Sequence, residues 1–200
     1  PSRPAAPEHV TLLTQSDPVR VKMAVPQSSI RLAFQGISRT DNEFYAAYVM
    51  NYMLGGGSLS SRLAHAIRKE RGLTYSVGSD LAMSHYAEWI SIDFATKKES
   101  EKEAEDVALA TLKAAADTGF TAEELTAAKD YLTGAFPLAT DSNGERVNYL
   151  TVMQQYALGT HYLEERNSLI TKVTLQQVND IAKRLLTIDK RLVILTGENP

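Results

Sequence analysis

Strand patterns occupy the first half of this chain, but after Lys97 long helical patterns follow one another with no strand between them until a closing segment near the C-terminus. Such an order argues for a single α+β domain, a small antiparallel or mixed sheet with helices packed on one face. Residues 29–35, Ser-Ile-Arg-Leu-Ala-Phe-Gln, alternate Ile30, Leu32 and Phe34 with smaller or polar neighbours, the period of a half-buried strand, and Gly36 ends it. Residues 73–79 and 86–95 read as two strands paired as a hairpin across 80–85. Residues 191–196, Arg-Leu-Val-Ile-Leu-Thr, read as a buried closing strand.

Helical spacing predicts helices over 42–54, 59–70, 98–116 and 143–158. The second stacks Leu59, Leu63 and Ile67, and the third carries Ala104, Val107, Ala108, Leu112 and Ala115 on one stripe. Thr121 with Glu124, and Thr174 with Gln177, have the spacing of capping boxes and open two further helices. Three prolines within the first seven residues favour extended chain, so residues 1–17 are expected to be an interdomain linker leading into an α+β domain over 18–200. A linker in that place suggests a piece of a longer protein.

Composition removes several chemistries. With no cysteine there is no disulfide framework, zinc ribbon, iron–sulfur site or thiol nucleophile. The formal charge of -3 provides no basic face for nucleic acid and no polybasic membrane anchor, and no stretch is long and apolar enough to span a bilayer. The four histidines, His9, His65, His85 and His161, are the whole imidazole supply. His85 and His161 each begin an H-x-x-E sequence, but Trp89 and Glu165 stand where a second histidine ligand is needed, so this chain is expected to bind no metal itself.

Two constellations are left. Leu54-Gly-Gly-Gly-Ser-Leu-Ser-Ser-Arg-Leu63 puts a glycine run between two helices, where a backbone can approach a ligand closely. It lacks the lysine of a phosphate loop and follows a helix rather than a strand. The alternative is a plain helix–helix turn. Farther on, Arg68 near a helix end and Tyr75 in the next strand flank Gly72, so a guanidinium and a phenol could stand side by side above a sheet and donate to a carbonyl that turns into an oxyanion. The bland reading is a helix C-terminus carrying Arg68, Lys69 and Arg71 for its dipole.

The glycine run, Ser-Ser-Arg-Leu, Arg-Lys-Glu-Arg-Gly-Leu-Thr-Tyr, Tyr131-Leu-Thr-Gly-Ala-Phe-Pro-Leu138 and Val173-Thr-Leu-Gln-Gln-Val178 together resemble the second half of zinc peptidases of the pitrilysin/insulysin type, over roughly residues 21–198. The resemblance implies one half of a clamshell that closes around a peptide. It implies catalytic roles for Arg68 and Tyr75 on the scissile carbonyl, and substrate binding by Gly55, Gly56, Gly57 and Ser58. Zinc would belong to the complete enzyme and would be held by an N-terminal half or a homologous partner chain, in a dimer. The activity implied is peptide hydrolysis, with a catalytically silent structural subunit and a free-standing peptide-binding module as the alternatives. The implied setting is the bacterial periplasm, with the cytoplasm as the alternative; neither nucleic acid nor membrane is an expected partner.

Overall fold

Hydrogen-bonded in the order β1 (Val19–Lys22), β5 (Leu192–Gly197), β2 (Ser28–Gln35), β4 (Trp89–Thr96) and β3 (Thr74–Ala82), five strands form one mixed sheet in the computed structural model, which describes residues 7–12 and 17–198. Only the β1–β5 pair is parallel. Alternation along β2 fixes its faces. Ile30, Leu32 and Phe34 are buried and stand opposite Phe94, Ile92 and Ile90 of β4, while Ile30 and Leu32 also face Leu195 and Val193 of β5. One side of the three central strands is therefore a continuous apolar layer. The other side carries polar pairs such as Arg31 with Asp93.

Six α-helices follow among the described residues: α1 (Phe44–Asn51), α2 (Glu101–Thr118), α3 (Ala122–Gly134), α4 (Asn143–Gln155), α5 (Tyr162–Thr171) and α6 (Leu175–Leu185). The predicted stripe of α2 is realised at Ala104, Ala108, Leu112 and Ala115, all fully buried, and α6 buries Val178, Ile181, Ala182 and Leu185. Both predicted capping boxes form: Thr121 and Thr174 each accept the N–H three residues on, and the Glu124 and Gln177 side chains reach back to the cap N–H.

Several boundaries differ from the sequence expectation. Strand β3 runs on to Ala82, where it pairs with Trp89, so the hairpin loop is 83–88 rather than 80–85. Leu59 is exposed in a 3-10 turn (Ser58–Ser60) rather than stacked beneath Leu63, and the following segment becomes a π-helix (Ala64–Lys69) that buries Ala64 and Ile67. Strand β1 and helix α5 had no sequence signal. The expected linker 1–17 falls partly outside the described residues. Within it, residues 7–12 are tied to the domain: Val10 N–H donates to the Tyr86 carbonyl, Leu12 N–H to Gln35 Oε1, and His9 Nε2 lies 2.7 Å from the buried Glu88 carboxylate.

Candidate functional site

Arg68 lies on the last turn of the π-helical segment and Tyr75 near the start of β3. The corner between them is made by Gly72 at φ +64°, a left-handed conformation that costs a residue with a Cβ extra strain. Gly72 N–H donates to the Arg68 carbonyl and Leu73 N–H to the Ile67 carbonyl, both at 3.0 Å. Each bond spans one residue more than in the common glycine-terminated α-helix end, as the wider π-turn requires. A β-bulge then shifts the β3–β4 register between Thr74 and Val77, and the Thr74 hydroxyl lies 2.7 Å from both the Ser76 and Ala95 carbonyls. Bulges re-aim side chains; here Tyr75 and Ser76 both point to solvent, Tyr75 with 84% of its surface exposed.

Helix end, corner and bulge together stack the Arg68 guanidinium carbon 5.0 Å from the centre of the Tyr75 ring. Among the described residues neither side chain forms a hydrogen bond or an ion pair, which leaves the guanidinium N–H groups and the phenol O–H free to donate to a ligand oxygen. The structure thus stands Arg68 and Tyr75 side by side.

The glycine run is placed differently. It ends a π-turn (Tyr52–Gly56) that continues α1, and Gly55 is buried: a Cβ there would stand 2.7 Å from the Ser79 backbone nitrogen. Asn51 Nδ2 donates to the Ser79 carbonyl at 3.3 Å, and Ser79 Oγ donates to the Asn51 carbonyl at 3.1 Å. This turn therefore covers the outer edge of β3, a sheet edge that would otherwise be open to pairing. Gly56 and Ser58 are exposed, Gly57 is half-buried, and Ser58 adopts φ +51°. Since Ser79 is four residues along the strand from Tyr75, the glycine turn lies roughly 13 Å from it at about 3.3 Å per residue.

Sequence reasoning missed the aromatic flank of this turn. Tyr52 stacks on Tyr131 of α3 with ring centres 5.2 Å apart, and a Cβ at Gly57 would meet the Tyr52 ring carbon at 3.1 Å. Burial pushes the Tyr52 hydroxyl above its ordinary value, against the opposing hydrogen bond to Ser60. Tyr131 lay within the segments quoted above, but nothing in its spacing tied it to Tyr52.

The imidazoles do not converge. His9 pairs with Glu88, His65 with Glu70 and His161 with Glu164, while the His85 ring lies 4.8 Å from that of Tyr156. Among the described residues no group of three or more His, Asp or Glu side chains could hold a metal ion.

Comparison with known proteins gives the same picture. Residues 1–132 match the family described as "Peptidase M16 inactive domain". The "uncharacterized zinc protease YmxG" of Bacillus subtilis is 28% identical over 176 residues, covering 88% of this chain and 42% of that protein. The "non-peptidase homolog YmxG" of Helicobacter pylori is 31% identical over 137 residues, covering 68% of this chain and 31% of that protein. A crystal structure of a peptidase M16 inactive domain from Pseudomonas fluorescens superposes with a TM-score of 0.89 at 26% identity, over 100% of this chain and 47% of that one. The chain therefore spans less than half the length of these relatives. By sequence and by fold it belongs to the peptidase M16 inactive-domain family, as one part of a zinc-protease-like protein.

Proposed function

We propose that this domain grips the peptide in a zinc metallopeptidase whose metal site is supplied by an N-terminal half or by a homologous partner chain. The observation that carries the reading is the Arg68–Tyr75 stack, in which the half-buried Arg68 lies over the exposed Tyr75 ring and neither side chain has a hydrogen-bond partner among the described residues. Zinc, when bound elsewhere in the assembly, activates the attacking water. On this side Arg68 and Tyr75 donate to the scissile carbonyl oxygen and strengthen their hold as it gains charge. The exposed Gly56 and Ser58 and the half-buried Gly57 between them seat the flanking peptide, a linker within residues 1–17 joins the halves, and the assembly works in the bacterial periplasm.

In the assembled protein, Arg68→Ala and Tyr75→Phe should each lower peptide hydrolysis by about 10²-fold, the loss expected for one oxyanion donor. Rates equal to wild type would overturn the assignment. A second reading, a catalytically silent subunit of the same fold, is favoured by the name of the Helicobacter pylori relative. It predicts that the assembly with Arg68 and Tyr75 intact still cleaves no peptide.

A further inference from the structure

Two arginines outside the Arg68–Tyr75 pair are buried, and among the described residues neither has a carboxylate partner. Arg39, in the connection from β2 to α1, is 5% exposed, and its guanidinium carbon lies 4.1 Å from the centre of the Phe44 ring, 5.3 Å from Tyr162 and 5.4 Å from Tyr45. Arg166 of α5 is 6% exposed and lies 4.3 Å from the Phe136 ring and 5.7 Å from Tyr48. Among the described residues neither arginine forms an ion pair. Arg166 donates to the Leu132 carbonyl at 3.2 Å, to Asn167 Oδ1 at 3.1 Å and to Tyr48 Oη at 3.2 Å. Arg39 makes a single hydrogen bond, to Tyr45 Oη at 3.3 Å.

Burying a charge without an opposite charge is among the least favourable arrangements a fold can hold. Here two positive charges line one cavity of about 270 Å³, walled by tyrosines including Tyr149 of α4. The ring faces hold each guanidinium flat and in place, which lowers the ordering cost of presenting its fork to a ligand. Arg39's Nε and Nη1 have no acceptor among the described residues, and neither of the two is sealed from solvent.

We propose that this cavity is a binding site for a carboxylate carried on a flat apolar group, with Arg39 and Arg166 holding the carboxylate and the tyrosine rings holding the body. The charge fits a monoanion: two guanidiniums face a single lining carboxylate, Glu145, which is exposed on the first turn of α4. The chemistry of the walls fits as well. Burial and the Tyr162 hydroxyl push the Tyr45 hydroxyl up to about 12, so it adds no negative charge to the cavity. The volume lies just below the usual range for small-molecule sites, which suits one ring-bearing acid or one terminal residue of a peptide.

Two ligands that differ only at the charged end test the proposal, N-acetyl-L-tyrosine and N-acetyl-L-tyrosinamide, titrated into the protein by calorimetry and by NMR of the arginine side chains. The acid should bind at least about tenfold more tightly than the amide, the margin of a charge-assisted fork. The Arg39 and Arg166 resonances should move while those of the exposed Arg20 and Arg31 stay, and Arg39→Gln should reduce the acid to the affinity of the amide. Equal affinities, no binding of the acid, shifts confined to surface arginines, or inorganic phosphate binding as tightly as the acid would each overturn it. If Arg39→Gln fails to fold, the wild-type comparison of acid with amide still decides. A short peptide ending in tyrosine, as free acid and as amide, separates the sources: discrimination there assigns the site to peptide C-termini, and discrimination only between the small ligands assigns it to free aromatic acids. Hydrolysis is not a readout here, so failure leaves the reading of Arg68 and Tyr75 untouched.

Discussion

Replacing Gly55 with alanine puts a methyl carbon 2.7 Å from the backbone nitrogen of Ser79 and 2.8 Å from its Cβ, separations that real Cβ atoms do not tolerate. The strand cannot retreat freely, because Ser79 is paired with Ile92 in the β3–β4 ladder and tied to Asn51 through two hydrogen bonds. Overpacking of this kind costs about 2–3 kcal/mol. Against it stands the helical preference of alanine over glycine, about 1 kcal/mol. The net loss should be about 1–2 kcal/mol, and since each kcal/mol moves the midpoint of a chain this size by about 2–4 °C, Gly55→Ala should melt about 2–8 °C below wild type. Gly56→Ala is the internal control, since its Cβ would meet only Asn51 at 3.3 Å and the position is exposed. Thermal unfolding followed by circular dichroism compares the two. A Gly55→Ala melting point equal to or above wild type would show that the turn does not press on β3, and with that the account of how the sheet edge is covered would fail.

Burial alone would raise the Glu124 carboxyl, but hydrogen bonds from Arg62 at 2.6 and 2.7 Å and from the Thr121 N–H at 2.7 Å outweigh it and hold the group below its ordinary 4.5. A depressed native pKa contributes stability that is fully present above 4.5 and is lost as pH falls through the lower native value. Glu124→Gln should therefore cost about 1–2 kcal/mol near neutral pH and show a weaker acid dependence of the urea midpoint than wild type; parallel pH profiles would refute the coupling. Thr174→Ala removes the hydroxyl that accepts the Gln177 N–H at 3.2 Å and should destabilise the protein by about 1 kcal/mol, while Thr174→Ser should retain most of that in chemical denaturation.

Legibility in the sequence followed how regular each burial pattern is. Strands β2 and β4 were plain because Ile30, Leu32 and Phe34, and Ile90, Ile92 and Phe94, alternate with smaller or polar residues. The capping boxes were equally plain, since they depend only on local chemistry. Helix α5 escaped because the residues it buries at i, i+4 and i+8 are Tyr162, Arg166 and Ile170, and the middle one is a cation. Strand β1 escaped because all four of its residues are exposed and its only partner lies about 175 residues away in sequence. The Arg68–Tyr75 pair was visible as a spacing, but the widened helix end and the bulge that produce the stack have no sequence signature. Glycine spacing likewise suggested a ligand loop without revealing that Gly55 is wedged against Ser79.

The strand order has a consequence for how the domain assembles. β5 is last of the five in the chain, yet it lies between β1 and β2, which are nearly neighbours in sequence. A growing chain can pair β2 with β4 and β4 with β3 early, but β1 has nothing to pair with until the whole helical layer has been made. Closing so long a loop is entropically slow. The sheet is thus finished from its far side, by inserting a strand rather than adding one, and in pulse-labelled hydrogen exchange the amides of β1 should be the last in the sheet to gain protection.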